Sequence, residues 1–258
     1  MKIALFSRID NHHCDIFQQQ IASLGLDVVH NPTTTDGYDL AISYGGDGTF
    51  LGAVRTMGKN LIPIMGVNSG RLGFLAAVPM EQALASVNSF LRGEYSIDTR
   101  SLLRLDGVGT ALNEFTLQKK STSMIHLQVS IDGTLAASYW ADGLILSTPT
   151  GSTAYSMSVG GAILSPDALS LIISPIAPHN LNIRPLVISD SSLIEICVTT
   201  RDEQSAVATL DNRQMEALSG QCYRLSVAPN RLQVLKFEHS VFYKALREKL
   251  FWGVDLRN

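Results

Sequence analysis

The chain has 258 residues, of which 45% are hydrophobic and 17% charged, and its formal net charge is -3. That length supplies one large domain or two modest ones with real cores. The small net charge gives no polyanion-seeking surface, which excludes nucleic acid as an expected partner. No run reaches the roughly 18 uninterrupted apolar residues of a membrane span. Met1-Lys2-Ile3-Ala4-Leu5-Phe6 is too short and too strand-like for a signal peptide, so a soluble cytoplasmic protein with no membrane partner is expected. Cys14, Cys197 and Cys222 stand far apart in sequence, so neither a zinc spacing nor a disulfide framework is read, and each is expected as a small buried hydrophobe. The histidines are scattered, with His12-His13 in an expected polar turn, and take structural or exposed roles.

In chain order, residues 2–6 read as a first strand and residues 15–24 as an amphipathic helix through Ile16, Phe17, Ile21 and Leu24, ended by Gly25. Residues 28–30 and 39–44 follow as strands, residues 49–57 as a helix, and residues 61–67 as a strand in which Pro63 suggests an edge or an irregularity. A helix over 80–91 closes the region. Strand and helix alternate, so residues 1–92 are predicted to form an α/β domain with a mostly parallel sheet, whose ligands collect at the carboxyl ends of the strands.

From Tyr95 onward the rhythm changes to short alternating segments at 102–105, 114–117, 126–131, 134–140, 144–147, 193–198, 205–210, 223–227 and 232–237. Asp132-Gly133 between two of them is a hairpin signal. Residues 93–240 are therefore predicted to be a β-rich, sandwich-like domain. Residues 241–258 form a C-terminal helix and tail, apolar on one face through Phe242, Leu246 and Leu250, able to fold back on the first domain.

Three stretches carry chemistry. The apolar run 39–44 stops at Gly45-Gly46-Asp47-Gly48-Thr49, where glycine lets the backbone approach a ligand closely or adopt positive φ. The helix that follows points its first free N–H groups back into the turn, which makes a phosphate site of Gly45, Gly46, Gly48 and Thr49. Asp47 beside phosphates serves a hydroxyl or a metal, or else caps its own helix. Arg55 is either a phosphate cation or part of a solvated helix face. A second turn, Asn68-Ser69-Gly70-Arg71-Leu72-Gly73-Phe74-Leu75, follows the next buried strand, and its Phe74 is either core or a platform for a base or ribose. Residues 142–161 are dense in small hydroxyl side chains around Pro149, Gly151 and Tyr155, suiting a multiply hydroxylated ligand or simply a loop. Asn113-Glu114 opens a strand and is able to read an adenine edge and a ribose diol together, although a solvated strand end explains the pair as well.

Taken together, Gly45 to Thr49, Asn68 to Leu75, Asn113-Glu114, residues 142–161, Pro178-His179-Asn180 and Arg184-Pro185-Leu186-Val187 resemble the bacterial NAD kinases. The likeness runs over residues 39–190 and continues more thinly to the C-terminus. The first motif is shared with diacylglycerol, sphingosine and phosphofructo-type kinases, whereas the long stretch from Asp142 is specific. The resemblance implies an α/β domain followed by a β-rich domain and phosphorylation of the 2′-hydroxyl of the adenosine ribose of NAD to give NADP, in an interdomain cleft. ATP is the implied donor, with polyphosphate as the alternative, together with Mg²⁺ or another divalent metal for which no protein ligand is named. A homodimer or homotetramer is implied as well.

By position, the resemblance makes Asp47 the general base. It assigns Asp47, Gly48, Phe74, Asn113, Glu114, Trp140, Asp142, Thr150, Thr153, Ala154, Tyr155, Ser156, Met157 and Ser158 to the NAD pocket, with Ala177 and Asn212 as further contacts. Trp140 stands where the family often has Arg and is read as stacking on a ring. A lipid kinase of the same superfamily and a non-catalytic nucleotide sensor are the competing readings. The first would need an apolar chute where residues 148–158 are polar, and the second would have no use for Asp47.

Overall fold

The computed structural model describes residues 1–8, 12–68, 70, 73–201, 206–237, 241–253 and 255, apart from the Val241 side chain. Ser69, Arg71 and Leu72 of the second glycine turn, and Ser205 at the start of one expected strand, lie outside the described residues. The chain divides into two compact units, Met1–Thr99 with Leu232–Asn258, and Arg100–Arg231. Among the described residues no helix is long and apolar enough to cross a membrane.

The first unit opens with β1 (Lys2–Ser7), α1 (His12–Ser23), β2 (Asp27–His30), β3 (Leu40–Tyr44), α2 (Asp47–Met57), β4 (Ile64–Asn68), β5 (Val78–Pro79), α3 (Ala83–Leu91) and β6 (Ser96–Arg100). All five residues of β3 and all five of β4 are buried, as befits parallel strands covered on both faces. Helix α2 buries Phe50, Ala53, Val54 and Met57, the i, i+3, i+4, i+7 stripe of a helix with one apolar face. His12 and His13 open α1 as exposed helical residues rather than lying in a turn. The expectation of an edge or irregularity at Pro63 is also corrected. Pro63 lies just before β4, where its missing N–H interrupts no ladder, and its carbonyl accepts the N–H of Ala41 at 2.9 Å. Strand β4 itself is interior.

The second unit is a pair of six-stranded sheets. Its elements are β7 (Leu103–Leu105), β8 (Gly109–Ala111), β9 (Glu114–Lys119), β10 (Ile125–Ile131), β11 (Thr134–Ala141), β12 (Gly143–Ser147), the short α4 (Tyr155–Ser158), β13 (Ser170–Ile176), β14 (Leu186–Ser189), β15 (Ile194–Thr199), β16 (Ala206–Leu210), β17 (Arg213–Ala217) and β18 (Cys222–Val227). One sheet runs β11-β10-β15-β18-β7-β8 and the other β14-β13-β12-β9-β16-β17. Inward residues of both, among them Phe115, Leu144, Ile196 and Tyr223, form one core, with the Phe115 and Tyr223 rings 5.2 Å apart. This is sandwich packing: in β15 the side chains of Ile194, Ile196 and Val198 face the core while those of Glu195, Cys197 and Thr199 do not.

Cys197 and Cys222 are directly opposed partners of β15 and β18 and form a disulfide. The reading of three buried cysteines outside any disulfide is thereby corrected for two of them, and Cys14 is a buried thiol outside the disulfide. Sequence separation hid the pair because cross-strand register, not spacing along the chain, brings them together.

The chain then returns to the first unit through β19 (Leu232–Lys236) and α5 (Val241–Leu250). Strand β19, read from sequence among the segments of the β-rich half, instead pairs parallel with β4 through Val234 and Ile64. The completed sheet has the order β2-β1-β3-β4-β19-β6, with β5 paired to β4. Its α/β character, and the β-rich character of the second unit, match the expected fold class.

Candidate active site

In the first unit the chemistry-bearing corner lies at the carboxyl end of β3. Gly46 is the N-cap of α2 and makes no side-chain cap bond, and Asp47 is the first helical residue. The N–H groups of Thr49 and Phe50 both donate to the Gly46 carbonyl, at 2.9 and 3.2 Å. The N–H groups of Asp47 and Gly48 precede the first intrahelical bond and are directed at whatever occupies the turn. None of Gly45, Gly46 and Gly48 has positive φ. Their value is closeness rather than handedness: a Cβ on Gly45 would overlap Thr49 Oγ1.

Asp47 does not cap its own helix. Its carboxylate reaches across to the second turn, where Oδ1 accepts the N–H groups of Leu75 and Ala76 at 3.1 and 3.0 Å and Oδ2 accepts that of Phe74 at 3.0 Å. Lys249 of α5 places Nζ 3.7 Å from Oδ2 and also stands 5.1 Å from the centroid of the Phe74 ring. Phe74 is half-buried, with its ring 6.2 Å from that of Phe242. A carboxylate offers about four acceptor positions. Among the described residues three are taken by N–H groups, and the fourth is on Oδ2, the oxygen nearest Lys249 Nζ. Gly73 makes the arrangement possible, since a Cβ there would overlap Asp47 Oδ1. Arg55 is exposed in the last turn of α2, about 12 Å along the axis from Asp47 at 1.5 Å per residue, so the structure does not bring it to the corner.

In the second unit a separate cluster forms where β9 begins. The carboxylate of Asp211, in the two-residue turn between β16 and β17, accepts the N–H groups of Leu112, Asn113 and Glu114. Asp211 and Asn212 both hold positive φ, 44° and 64°, the conformation a tight hairpin of this kind demands. Asn212 is exposed at its tip. The Thr148 hydroxyl donates to the Leu112 carbonyl at 2.6 Å and accepts the Gly151 N–H at 3.2 Å, while the Thr148 N–H donates to Asn113 at 2.9 Å. A Cβ on Gly151 would meet the Asn113 carbonyl, so this loop packs directly on the Asn113 backbone.

Burial is the dominant influence on Glu114, whose pKa is pushed up to about 8, with the Asp211 charge adding to it. Its Oε2 is buried without a hydrogen-bond partner among the described residues. Burial likewise raises the pKa of Asp211, opposed by its three N–H bonds and by Arg213. At neutral pH Glu114 is therefore the protonated member of the pair and can donate a hydrogen bond, while its other oxygen accepts.

The hydroxyl-rich loop is less open than its sequence suggests. Thr148, Ser152 and Ser156 are fully buried, and their hydroxyls are engaged by Leu112, Pro149 and Ser174 respectively. Thr150 is buried and accepts from Arg100 at 3.3 Å. Thr153, Ala154, Tyr155 and Met157 are half-buried and Ser158 is exposed, so these residues form the accessible part of the loop. Asp142 is ion-paired to Lys119 at 2.6 Å. Trp140 is exposed and does meet rings and cations, but within the chain: His126 lies 5.1 Å away and Arg201 5.7 Å. Ala177 is exposed, with φ 42°, beyond β13. Sequence reasoning missed Asp211, although an Asp-Asn pair between two alternating segments was an available turn signal. It also missed Lys249, which carries no local signature.

Comparison with known proteins follows the same division. Residues 7–95 match the family model described as ATP-NAD kinase N-terminal domain, and residues 112–237 that described as ATP-NAD kinase C-terminal domain. An NAD kinase of Flavobacterium psychrophilum is 44% identical over 231 residues, covering 86% of this chain and 78% of that protein. One of Cytophaga hutchinsonii is 42% identical over 238 residues, covering 88% and 80%. Among solved structures, yeast NADH kinase complexed with NADH superposes with a TM-score of 0.89 at 21% identity, covering 100% of this chain and 89% of the other. An Archaeoglobus fulgidus NAD kinase in complex with ATP superposes at 0.83 and 24% identity, covering 95% and 96%. At such identities the structural matches speak for the fold, while the sequence relatives and the two family models establish that this chain belongs to the NAD kinase family.

Proposed function

We propose that this chain transfers the γ-phosphoryl group of ATP to the 2′-hydroxyl of the adenosine ribose of NAD, giving NADP and ADP, with Asp47 as the general base. The observation that supports the base assignment is a carboxylate held in place by three N–H bonds without capping its own helix, whose Oδ2 keeps one acceptor position that no hydrogen bond among the described residues fills. The hydroxyl proton passes to Asp47 as its oxygen bonds to phosphorus. General-base help of this kind is worth roughly a hundred- to ten-thousand-fold. The N–H groups of Asp47 and Gly48, with Gly45, Gly46 and Thr49 shaping the turn, receive phosphate charge.

In this reading Asn113 and Glu114 recognise the adenosine part of NAD. A protonated Glu114 donates to an acceptor and its second oxygen takes a donor, which suits it to a group carrying both functions. The accessible residues of the loop, Thr153, Ala154, Tyr155, Met157 and Ser158, backed by the buried Thr150 and Ser156, complete the acceptor determinants with Phe74, Trp140, Asp142, Ala177 and Asn212. Mg²⁺ generally takes one or two protein carboxylates and leaves the rest to phosphates and water. The open acceptor position of Asp47 serves the ribose hydroxyl, so the ion would be held by the nucleotide phosphates and water rather than by this carboxylate, and when bound it would neutralise charge on the transferring phosphoryl group. Cytoplasmic location and a homodimer or homotetramer are part of the same proposal, the latter read by sedimentation.

The test is NADP formation by purified protein with Mg²⁺, NAD and ATP, with polyphosphate and diacylglycerol as alternative donor and acceptor. Asp47→Asn is expected to lose at least a hundredfold in turnover while retaining NAD binding. Near-normal turnover would remove Asp47 as base, and phosphorylation of diacylglycerol but not NAD would overturn the acceptor assignment.

A further inference from the structure

The outer face of the sheet that carries β15 and β18 holds a group of donors that the proposed activity does not use. Glu195 and Cys197 are two residues apart on β15 and so point to the same side, and Cys222 is the cross-strand partner of Cys197. One ligand atom from each of the three lies within 4.8 Å of the others. Arg224, partner of Glu195 in the same ladder, holds one carboxylate oxygen at 2.9 Å, and among the described residues no hydrogen bond engages the second. The three side chains are solvent-accessible, with Cys222 exposed, and Glu195 and Cys222 line a surface groove of about 550 Å³ together with Leu105, Asp106, Val108 and Met215.

We propose that Glu195, Cys197 and Cys222 form a redox-gated site for a thiophilic divalent cation of the zinc class. Two thiolates and a carboxylate are a donor set suited to Zn²⁺, and three protein ligands leave a fourth position for water. In the disulfide each sulfur is bonded to the other and the site is closed. Opening needs a dithiol reductant. Its first thiolate attacks one protein sulfur to give a mixed disulfide and free one cysteine, and its second thiolate then displaces the other. The reductant leaves as its own disulfide, two electrons have passed to the protein, and both cysteines carry thiol protons. Binding of the cation releases those two protons and joins the two strands through the metal instead of through sulfur. Sheet geometry makes the exchange possible without refolding, because hydrogen-bonded register holds the two β-carbons opposite one another in either state.

The experiment uses the full chain, either oxidised or reduced with dithiothreitol and desalted without oxygen, titrated with Co²⁺ as the probe and then with Zn²⁺. Reduced protein is expected to bind one equivalent of Co²⁺ with a near-ultraviolet sulfur-to-cobalt charge-transfer band that Zn²⁺ abolishes, whereas oxidised protein shows none. Cys222→Ser, at an exposed position that leaves the core intact, is expected to lose the band, and Glu195→Gln to weaken binding by about tenfold or more. Absence of the band in reduced protein, its persistence in Cys222→Ser, or unchanged affinity in Glu195→Gln would each overturn the proposal. NADP formation is measured separately on Asp47→Asn, so the two readings fail independently.

Discussion

Asp211 clamps the strand start that carries Glu114, and burial raises the pKa of both carboxyl groups while three backbone N–H groups oppose that rise at Asp211 alone. Asp211 accepts three N–H groups, one of them from Glu114 itself, and Glu114 keeps its proton to about pH 8. The pKa of Glu114 is raised on folding from 4.5, so the folded state binds a proton that the unfolded chain releases between pH 4.5 and about 8. Stability is therefore fully present below about pH 4.5 as regards this group and falls as pH rises to about 8, by up to about 1.4 kcal/mol per pH unit. Urea unfolding of the wild type and Glu114→Gln between pH 6 and 8.5 should show a slope in the first that the second lacks. Equal slopes would mean that Glu114 is already ionised at neutral pH.

The same protonation bears on binding. A neutral Glu114 offers donor and acceptor together, and an ionised one only accepts, so KM for NAD is expected to rise as pH passes about 8 in the wild type. In Glu114→Gln, which offers both functions at every pH, this rise should disappear. Steady-state kinetics across the range decides it, with a pH-independent wild-type KM as the contrary result.

Gly73 stands against Asp47 closely enough that no side chain fits. Gly73→Ala must push either the carboxylate or the turn that donates to it, and overpacking of this kind costs about 1–3 kcal/mol. Turnover should fall further than stability does, because Asp47 would lose its fixed position. Thermal melts and kcat measured together check this, and a variant with normal kcat would show that Asp47 tolerates displacement.

Thr148 makes a contrasting prediction about the loop. Its buried hydroxyl serves both the Leu112 carbonyl and the Gly151 N–H. Thr148→Val keeps the shape and leaves both backbone groups unpaired, a loss of about 2–6 kcal/mol on the basis of about 1–3 per group. Thr153→Val, at a half-buried position whose hydroxyl donates to the Thr150 carbonyl, should move stability by less than about 1 kcal/mol and instead raise KM for NAD. Urea denaturation of the pair separates scaffold from contact, and equal losses would sink the distinction.

Much of this was legible in the sequence, for identifiable reasons. Buried parallel strands are continuous apolar runs, so β3, β4 and the corner after them stood out, and α5 showed its apolar face through Phe242, Leu246 and Leu250. Strand β13 did not, because Pro166, Pro175 and Pro178 crowd the segment with breaker signals although Pro175 sits in register opposite Leu144. Strand β19 was legible as a strand but not by partner, since which sheet receives it depends on chain topology rather than on its own residues. In the candidate site, Gly45 to Gly48 and Asn113-Glu114 were readable as local motifs. The three N–H bonds to Asp47, the Asp211 clamp and the Cys197–Cys222 pair are made by residues at least 25 positions apart, and no local pattern encodes them.

Lys249 is the clearest case of such distance, and its role is open to direct measurement. Its ammonium is 3.7 Å from Asp47 Oδ2, and the two side chains are 33% and 32% exposed, so water screens the pair and its contribution to stability is small, under about 1 kcal/mol. A cation beside Asp47 nonetheless offsets the repulsion between that carboxylate and incoming phosphate charge. Lys249→Met retains the apolar stem over the Phe74 ring and removes only the charge. The expected outcome is a melting temperature within a few degrees of the wild type and a raised KM for ATP that converges on the wild-type value at high ionic strength, where the attraction is screened in both. An unchanged KM at low salt would reduce Lys249 to a packing residue of the C-terminal helix.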